Sequence, residues 1–322
     1  MAINDPKRIF IIPYFGKFNN YFQLFLNSCK QNNQTNFLIL TDDTTAFDYP
    51  QNVTVIYTSL EEISTRAESA LHRPIHINRA YKLCDFKAIY GILFADLVQD
   101  YDYWGYCDTD LIFGNFDGMI EKIFEQDYDK IFFLGHCTLV RNSKEINQLL
   151  LSNKNFLEKL TDVDNNYSLD EEFNGSINTI LLNKEKRVCL EELEANTYTK
   201  TSNFYLTKWN KRLQKYEIIK RKNHVFVREE KGLFEYFIEN GQLIKKEYLY
   251  MHFQSRLMEL KVDCNSSVYK IIPNAFEPLE YTEVSLDNFA KIKKKNWNLH
   301  YFRLRSKNLK IKLERKLKKK WK

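Results

Sequence analysis

Two aspartates with one residue between them interrupt an apolar and aromatic run, Tyr103-Trp104-Gly105-Tyr106-Cys107-Asp108-Thr109-Asp110-Leu111-Ile112-Phe113-Gly114. An ionised carboxylate among apolar side chains costs free energy unless a metal ion or hydrogen bonds compensate it, so the pair asks for a partner. In an extended chain side chains alternate, which puts Asp108 and Asp110 on one side with Thr109 pointing away. Both can then face one cation. Hard oxygen donors suit Mg²⁺ or Mn²⁺, ions that keep positions open for phosphate oxygens, so the implied chemistry is metal-assisted handling of a nucleotide pyrophosphate. The plain alternative is a solvated turn, and the apolar flanks argue against it.

Further candidates lie elsewhere in the chain. In Arg79-Ala80-Tyr81-Lys82-Leu83-Cys84-Asp85-Phe86-Lys87, Lys82 and Asp85 are three apart and share a helical face. They read either as an intrahelical ion pair or as a cation that offsets phosphate charge beside a carboxylate that accepts hydroxyl hydrogen bonds. Asp170, Glu171 and Glu172 follow Ser168. Ser168 and Glu171 fit a capping box, while one acid of the three could deprotonate an attacking hydroxyl. His252, near Gln254 and Arg256, is either a core histidine or a metal ligand, and Arg256 could grip a phosphate bidentately. His136 follows a strand end and stays outside the catalytic set.

The elements that must position these residues are readable from pattern. Arg8-Ile9-Phe10-Ile11-Ile12-Pro13 is a short buried strand that stops before Gly16, and a loop after a first strand often meets the ligand. Helical spacing of Phe22, Phe25, Leu26 and Cys29 follows, then strands at 36–40 and 53–57. The pattern predicts helices over 60–71 and 80–98, the aspartate strand, a helix near 119–124 and a strand over 130–134. This is the opening of an α/β open sheet, in which ligands collect outside the carboxyl ends of the strands. Later segments change to antiparallel strands at 225–228, 233–238 and 242–253, with a hairpin turn at Asn240-Gly241.

Composition narrows the function classes. The 322 residues are 44% hydrophobic, with 24 Phe and 20 Tyr against 9 Gly and 6 Pro, which suits a packed interior and excludes a linker-rich chain. Six scattered cysteines include no Cys-x-x-Cys pair, which leaves zinc and redox motifs unsupported and favours a reducing compartment. No run reaches the length of a membrane span and the first residues are polar, so a cytoplasmic protein without a signal peptide is expected. Residues 291–322 hold 15 of the 48 basic residues and one of the 42 acids, so this tail carries +14 and the remainder −8. Phe302, Leu309, Leu313, Leu317 and Trp321 recur at helical spacing between the charges, which suits an interfacial helix on an anionic membrane. Nucleic acid is a weaker partner, because no recognised binding motif accompanies the charge, and a solvated tail is the third reading.

Taken together, the strand ending near Pro13, Leu40-Thr41-Asp42-Asp43, Tyr81-Lys82-Leu83-Cys84-Asp85-Phe86-Lys87 and Trp104 to Gly114 resemble a bacterial glycosyltransferase of the GT-A fold, of the type encoded in capsule and lipopolysaccharide clusters. The resemblance spans about residues 8–255, and its most specific part is the Asp-x-Asp stretch. It implies a Rossmann-like nucleotide-binding open sheet, to which the strand and charge patterns above add an antiparallel C-terminal part and a basic C-terminal helix. The implied division is a catalytic domain over 1–278, with a nucleotide-sugar half to about 140 and an acceptor half beyond it, then a tail over 279–322. It further implies a UDP-sugar donor, a galactose- or glucose-type hexose, a lipid-linked surface glycan as acceptor, and Mn²⁺ or Mg²⁺. Asp110 would be the more direct metal ligand, with Asp108 on the ribose or the metal and His252 returning to the ion. Pro13, Tyr14, Phe15 and Asp42 would border the uridine, Lys82 and Asp85 would face the donor, and the base would lie among Asp170, Glu171 and Glu172. Work at the inner face of the plasma membrane follows from the lipid-linked acceptor and the basic tail. A metal-dependent nucleotidyltransferase would use the same aspartates but release pyrophosphate, and a non-enzymatic nucleic-acid binder would rely on the tail alone.

Overall fold

The computed structural model describes residues 5–162, 164–171, 173, 175–198, 204–221 and 223–292, together with 302, 306, 309, 310, 313 and 314. The chain divides into two compact units, 1–193 and 194–322.

The first unit is mixed α/β. It opens with β1 (Arg8–Tyr14), α1 (Phe22–Lys30), β2 (Thr35–Thr41), β3 (Val53–Tyr57) and α2 (Leu60–Leu71). Helix α2 begins at a capping box in which Ser59 and Glu62 satisfy each other's backbone N–H groups, with Glu62 three residues beyond the cap. The expected helix over 80–98 is a chain of short turns instead. 3₁₀ turns at Ala80–Lys82 and Lys87–Ile89 alternate with α3 (Leu83–Phe86), α4 (Tyr90–Leu93) and α5 (Ala95–Val98). Ile89 at φ −124° and Phe94 at φ −116° leave the helical range and break the register. Gly91 lets this segment press onto the sheet, since a methyl group there would lie 2.1 Å from Trp104 Nε1.

Next come β4 (Tyr103–Cys107), β5 (Leu111–Phe113), α6 (Phe116–Phe124), β6 (Lys130–Ile131), β7 (Cys137–Arg141), α7 (Lys144–Leu151), α8 (Lys154–Thr161), α9 (Ile177–Asn183) and β8 (Val188–Cys189). The strand expected over 130–134 stops after two residues, where Phe132 turns to φ 64°. No helix starts after Ser168, which sits at φ 49°. Helix α9 begins later, with Ser176 Oγ accepting from the N–H groups of Asn178 and Thr179. The capping-box reading of Ser168 and Glu171 therefore fails, because the left-handed Ser168 cannot open a helix.

These strands form a seven-stranded sheet in the order β3-β2-β1-β4-β7-β6-β8. Strands β3, β2, β1 and β4 are parallel, and β7 runs antiparallel to β4. Alternation sorts the strand side chains onto two faces. Ile9, Ile11, Leu38, Leu40, Trp104 and Tyr106 join Phe86, Tyr90 and Leu93 in one core. On the other face Phe10 stacks on Phe37 at 5.6 Å, and Phe113 packs beside them. Burying each ring contributes about 1.5–3 kcal/mol, so both faces anchor β1 and β4 firmly. From β1 the chain proceeds outward to β2 and β3 and then returns to place β4 on the opposite side. The strand order reverses between β1 and β4.

The second unit is dominated by antiparallel strands. It contains β9 (Ala195–Asn196), β10 (Leu206–Asn210), β11 (Lys215–Ile219), β12 (His224–Glu229), β13 (Gly232–Glu239), β14 (Gln242–Tyr248), β15 (Tyr250–His252), β16 (Glu259–Leu260), β17 (Tyr269–Ile272), β18 (Ala275–Glu277) and α10 (Leu286–Ile292). A six-stranded sheet has the order β14-β13-β12-β17-β18-β16, and β10 pairs with β11 as a separate hairpin. The β13–β14 turn is the expected one, with Asn240 at φ 51° and Gly241 at φ 77° supplying the two positive φ values of a type I′ turn. The strand expected over 242–253 is split, and β15 runs parallel to β9. Val225, Val227, Tyr236, Ile272, Phe289 and Ile292 form a core cluster of this unit.

The basic helix expected in 291–322 lies outside the described residues apart from Lys291, Ile292 and six isolated positions. Those six are helical and exposed, Phe302, Leu309 and Leu313 among them. Among the described residues no helix is long and apolar enough to cross a membrane. The six cysteines are unbridged, four of them buried.

Candidate functional site

Asp108, Thr109 and Asp110 follow the end of β4 in a bend, not inside one continuous strand as the alternation predicts. A bend lets the carboxylates leave the apolar layer and avoid the cost of burying charge. Asp108 N donates to His136 O at 3.1 Å, and Thr109 O accepts from Asn19 Nδ2 at 3.4 Å, so both sides of the bend are tied down. Asp110 is 9% exposed, whereas the Asp108 side chain is 34% exposed.

The carboxyl ends of β1 and β2 meet at the same edge of the sheet. Gly16, at φ +100°, donates its N–H to Asp42 Oδ1 at 2.7 Å. Asp43 accepts from Lys17 Nζ at 2.5 Å, from Phe18 N at 3.0 Å and from Thr45. Burial pushes the Asp43 carboxyl up, but these donors outweigh it and hold the group well below the usual carboxylate range. Tyr14 stacks on Phe18 at 4.6 Å, and its phenol is raised by burial, then by the charges of Asp110 and Asp43. Pro13 and Tyr14 still belong to β1 and only Phe15 and Gly16 leave it; Pro13, Tyr14 and Phe15 are half-buried and Asp42 is exposed at the carboxyl ends of β1 and β2.

Lys87 occupies the middle of the site. Its Nζ donates to Asp108 Oδ1 at 2.6 Å and to Gly135 O at 2.8 Å, and stands 3.7 Å from Asp170 Oδ2. Burial acts to lower its pKa, but Asp108, then Cys84 and Asp170, raise it well above the ordinary lysine value, so the ammonium stays charged. Tyr106, in β4 two residues before Asp108, lies under the ammonium at 5.7 Å and donates its hydroxyl to Asp170 O at 3.0 Å.

Of the expected acids, Asp170 is the one beside Lys87. It is 5% exposed, and burial pushes its carboxyl up to about 7 against the pull of Lys87, with Glu171 and Asp108 adding to the rise. Glu171 instead accepts from Gly135 N at 3.1 Å. Glu172 lies outside the described residues. Lys130 is fully buried and donates to Phe132 O at 2.8 Å; burial pushes it down to about 7, against Asp170, Cys189 and Glu171. His136 is buried, and its carbonyl holds the aspartate bend.

Lys82 and Asp85 meet each other. Both are fully buried, with Lys82 Nζ 2.8 Å from Asp85 Oδ2. Lys82 also donates to the carbonyls of Lys159 and Asn165, while Asp85 accepts from the N–H groups of Tyr167 and Leu169. The pair ties the end of α8 to the segment 164–169 that leads to Asp170, and the lysine that reaches the Asp-x-Asp bend is Lys87.

In the second unit His252 ends β15 and is 6% exposed. Its Nδ1 is 3.2 Å from Asn196 Oδ1, which also accepts from Gln254 Nε2 at 2.8 Å. Arg256 is 4% exposed and turns its guanidinium to Asn274 Oδ1 at 3.2 Å and Tyr198 O at 2.8 Å.

Lys87, Tyr106, Gly135 and Lys130 are site residues that the sequence reading did not single out. The signal for Lys87 was its place five residues after Lys82, which turns it to a different side of a helical segment. No curated protein matches the chain. The family model for DUF6625, a family of unknown function, matches residues 10–280, and the chain belongs to that family.

Proposed function

We propose that the chain is a metal-dependent glycosyltransferase of the GT-A type, moving a galactose- or glucose-type hexose from a UDP-sugar to a lipid-linked surface glycan. The observation that carries this reading is the position of Asp108 and Asp110 at the carboxyl end of β4, where the strand order reverses beside the β1 loop. In an open α/β sheet that crevice is where nucleotides bind.

The donor set fits a hard divalent ion, Mn²⁺ or Mg²⁺. Asp108 and Asp110 would hold it through their carboxylate oxygens, at the bend after β4. When bound, the ion supplies positive charge where the diphosphate leaves. The protein does the rest: the Tyr14–Gly16 segment and Asp42 border the nucleoside, and Lys87 holds Asp108 in place. Asp170, with a carboxyl near 7, takes the proton of the acceptor hydroxyl. Residues 291–322 would hold the enzyme on anionic lipid at the inner face of the membrane.

Thermal-shift screening of a UDP-sugar panel with and without Mn²⁺ tests the reading. The expected result is stabilisation by UDP-galactose or UDP-glucose only when Mn²⁺ is present, lost in Asp110→Ala. If no UDP-sugar stabilises the Mn²⁺-treated protein, the proposal fails, and release of pyrophosphate in place of UDP would turn it into a nucleotidyltransferase.

A further inference from the structure

We propose that the β10–β11 hairpin, residues 206–219, is a docking finger for the surface of an anionic lipid bilayer. It goes beyond the catalytic reading and does not depend on it.

Among the described residues the hairpin is tied down at its base, where Leu206 bridges Thr197 and Thr207 Oγ1 donates to Asn196 O, and β10 and β11 pair with no further strand. Register places Thr207 opposite Ile218 and Trp209 opposite Tyr216, so these four share one face; Leu206, Lys208, Asn210, Lys215, Glu217 and Ile219 share the other, so apolar side chains project from both. Trp209 and Tyr216 meet edge to face at 4.9 Å. Every residue from 211 to 220 is exposed, and Leu213, Tyr216, Ile218 and Ile219 are 51, 42, 39 and 39% exposed. Four large apolar side chains open to water within seven residues call for a covering partner.

Charge identifies that partner. Lys208, Lys211, Arg212, Lys215 and Lys220 are all exposed, against the single acid Glu217, which accepts from Asn210 Nδ2 at 2.7 Å. Lys246 on β14 is held below the ordinary lysine value by burial and, against Glu235, by the like charges of Arg221 and Lys208. A second copy of the chain would bring the same positive charges against these, so self-pairing is opposed. A nucleic acid could take the basic groups but has no use for Leu213, Ile218 and Ile219, which lack a π-face for stacking. A bilayer interface takes all three components: lysine and arginine at the headgroups, tryptophan and tyrosine at the boundary, aliphatic side chains below it.

The test uses the full chain and vesicles of phosphatidylcholine with about 30 mol% phosphatidylglycerol. The triple variant K211E/R212E/K215E and the double variant L213S/I218S change exposed positions only, and matching melting curves establish that both remain folded. Each is expected to weaken sedimentation with anionic vesicles at least about tenfold, with little binding of the parent to pure phosphatidylcholine. A second readout separates the hairpin from the C-terminal tail. In the W297F/W321F background the remaining tryptophans are Trp209 and the fully buried Trp104. Brominated lipid should then quench Trp209 emission and leave Trp104 unaffected. Unchanged vesicle binding in both variants, or bound protein without Trp209 quenching, would overturn the proposal. So would a concentration-dependent dimer that the triple variant abolishes, or loss of oligonucleotide binding in that variant while vesicle binding persists.

Discussion

Lys87 Nζ lies 2.6 Å from Asp108 Oδ1 and 3.7 Å from Asp170 Oδ2, so one ammonium is shared between the aspartate bend and the candidate base. The side chain of Lys87 is only 12% exposed and that of Asp170 only 7%, whereas Asp108 is partly in water. A charge shared in this way preorganises both carboxylates before any ligand arrives.

Lys87→Met should therefore be costly. It strands a buried carboxylate, and removing one partner of such a pair costs about 3–5 kcal/mol, reduced here to about 2–3 because Asp108 is partly solvated. Urea denaturation measures this, and Lys87→Arg, which keeps the charge, should recover most of it. A loss below about 0.5 kcal/mol in Lys87→Met would show that the ion pairs are not holding the site.

The Asp170 carboxyl, raised to about 7 by burial, makes stability and turnover depend on pH in opposite ways. An unfolded aspartate titrates near about 3.9, so between that pH and about 7 the folded state keeps a proton that the unfolded chain has lost. The contribution is fully present below about 3.9 and disappears as pH rises through about 7. Asp170→Asn cannot ionise, so its stability relative to the parent should increase from pH 5 to pH 8 in metal-free buffer. Turnover of the parent should rise through the same interval as the base deprotonates, while the variant should be nearly inactive and flat with pH. A constant stability difference across that range would mean that Asp170 is ionised throughout.

The Lys82–Asp85 pair should behave as framework. With both side chains fully buried and each holding two further backbone groups or more, Asp85→Ala should cost about 3–5 kcal/mol. The double variant Lys82→Met/Asp85→Leu should be more stable than the sum of the single losses, because it leaves no unpaired buried charge. Folded Lys82→Met protein should keep the donor affinity of the parent in titration calorimetry. A drop of more than about tenfold there would return Lys82 to the donor site.

The parallel strands β1 to β4 were legible because alternation and apolar runs are local signals, whereas β7, the β10–β11 hairpin and β17–β18 went unread. Ile9 and Ile11 against Phe10 and Ile12, or Trp104 and Tyr106 against Tyr103 and Cys107, already separate the two faces of the sheet. Asn240-Gly241 announced its turn for the same reason, since few residues tolerate two positive φ values in succession. What the sequence hid depends on breaks and on distant partners. The helical period carries no sign that Ile89 and Phe94 leave the helical range, and those breaks decide that Lys87 reaches Asp108 while Lys82 is locked to Asp85. Ser168 and Glu171 carry the spacing of a capping box, yet Glu171 is claimed by Gly135 N, 36 residues away. The aspartate pair was visible as chemistry, while its bent geometry needed Asn19 and His136 to hold it.

Gly135 gives the most local test of the site. A methyl group at this position would lie 2.3 Å from Asp170 Oδ2, 2.9 Å from its Cγ and 3.2 Å from Glu171 Oε2. Real β-carbons do not approach so closely, so Gly135→Ala must displace the Asp170 carboxylate, and a buried side chain has little room to retreat. The same glycine gives its carbonyl to Lys87 and its N–H to Glu171, so displacement disturbs the base and leaves the strands alone. Gly105→Ala provides the contrast, because there the added methyl group meets Thr138 O, a backbone atom of the adjoining strand, at 2.3 Å. Gly105→Ala should lose most of its folded protein in a melting experiment. Gly135→Ala should melt within about 5 °C of the parent, equivalent to about 1–2 kcal/mol, while its turnover falls at least about a hundredfold, since misplacing a reacting group by about 1 Å costs that much. Donor affinity should stay near the parent value, because the Tyr14–Gly16 segment and Asp42 are untouched. Turnover within about twofold of the parent in a folded Gly135→Ala protein would remove Asp170 from the chemistry, whatever its pKa.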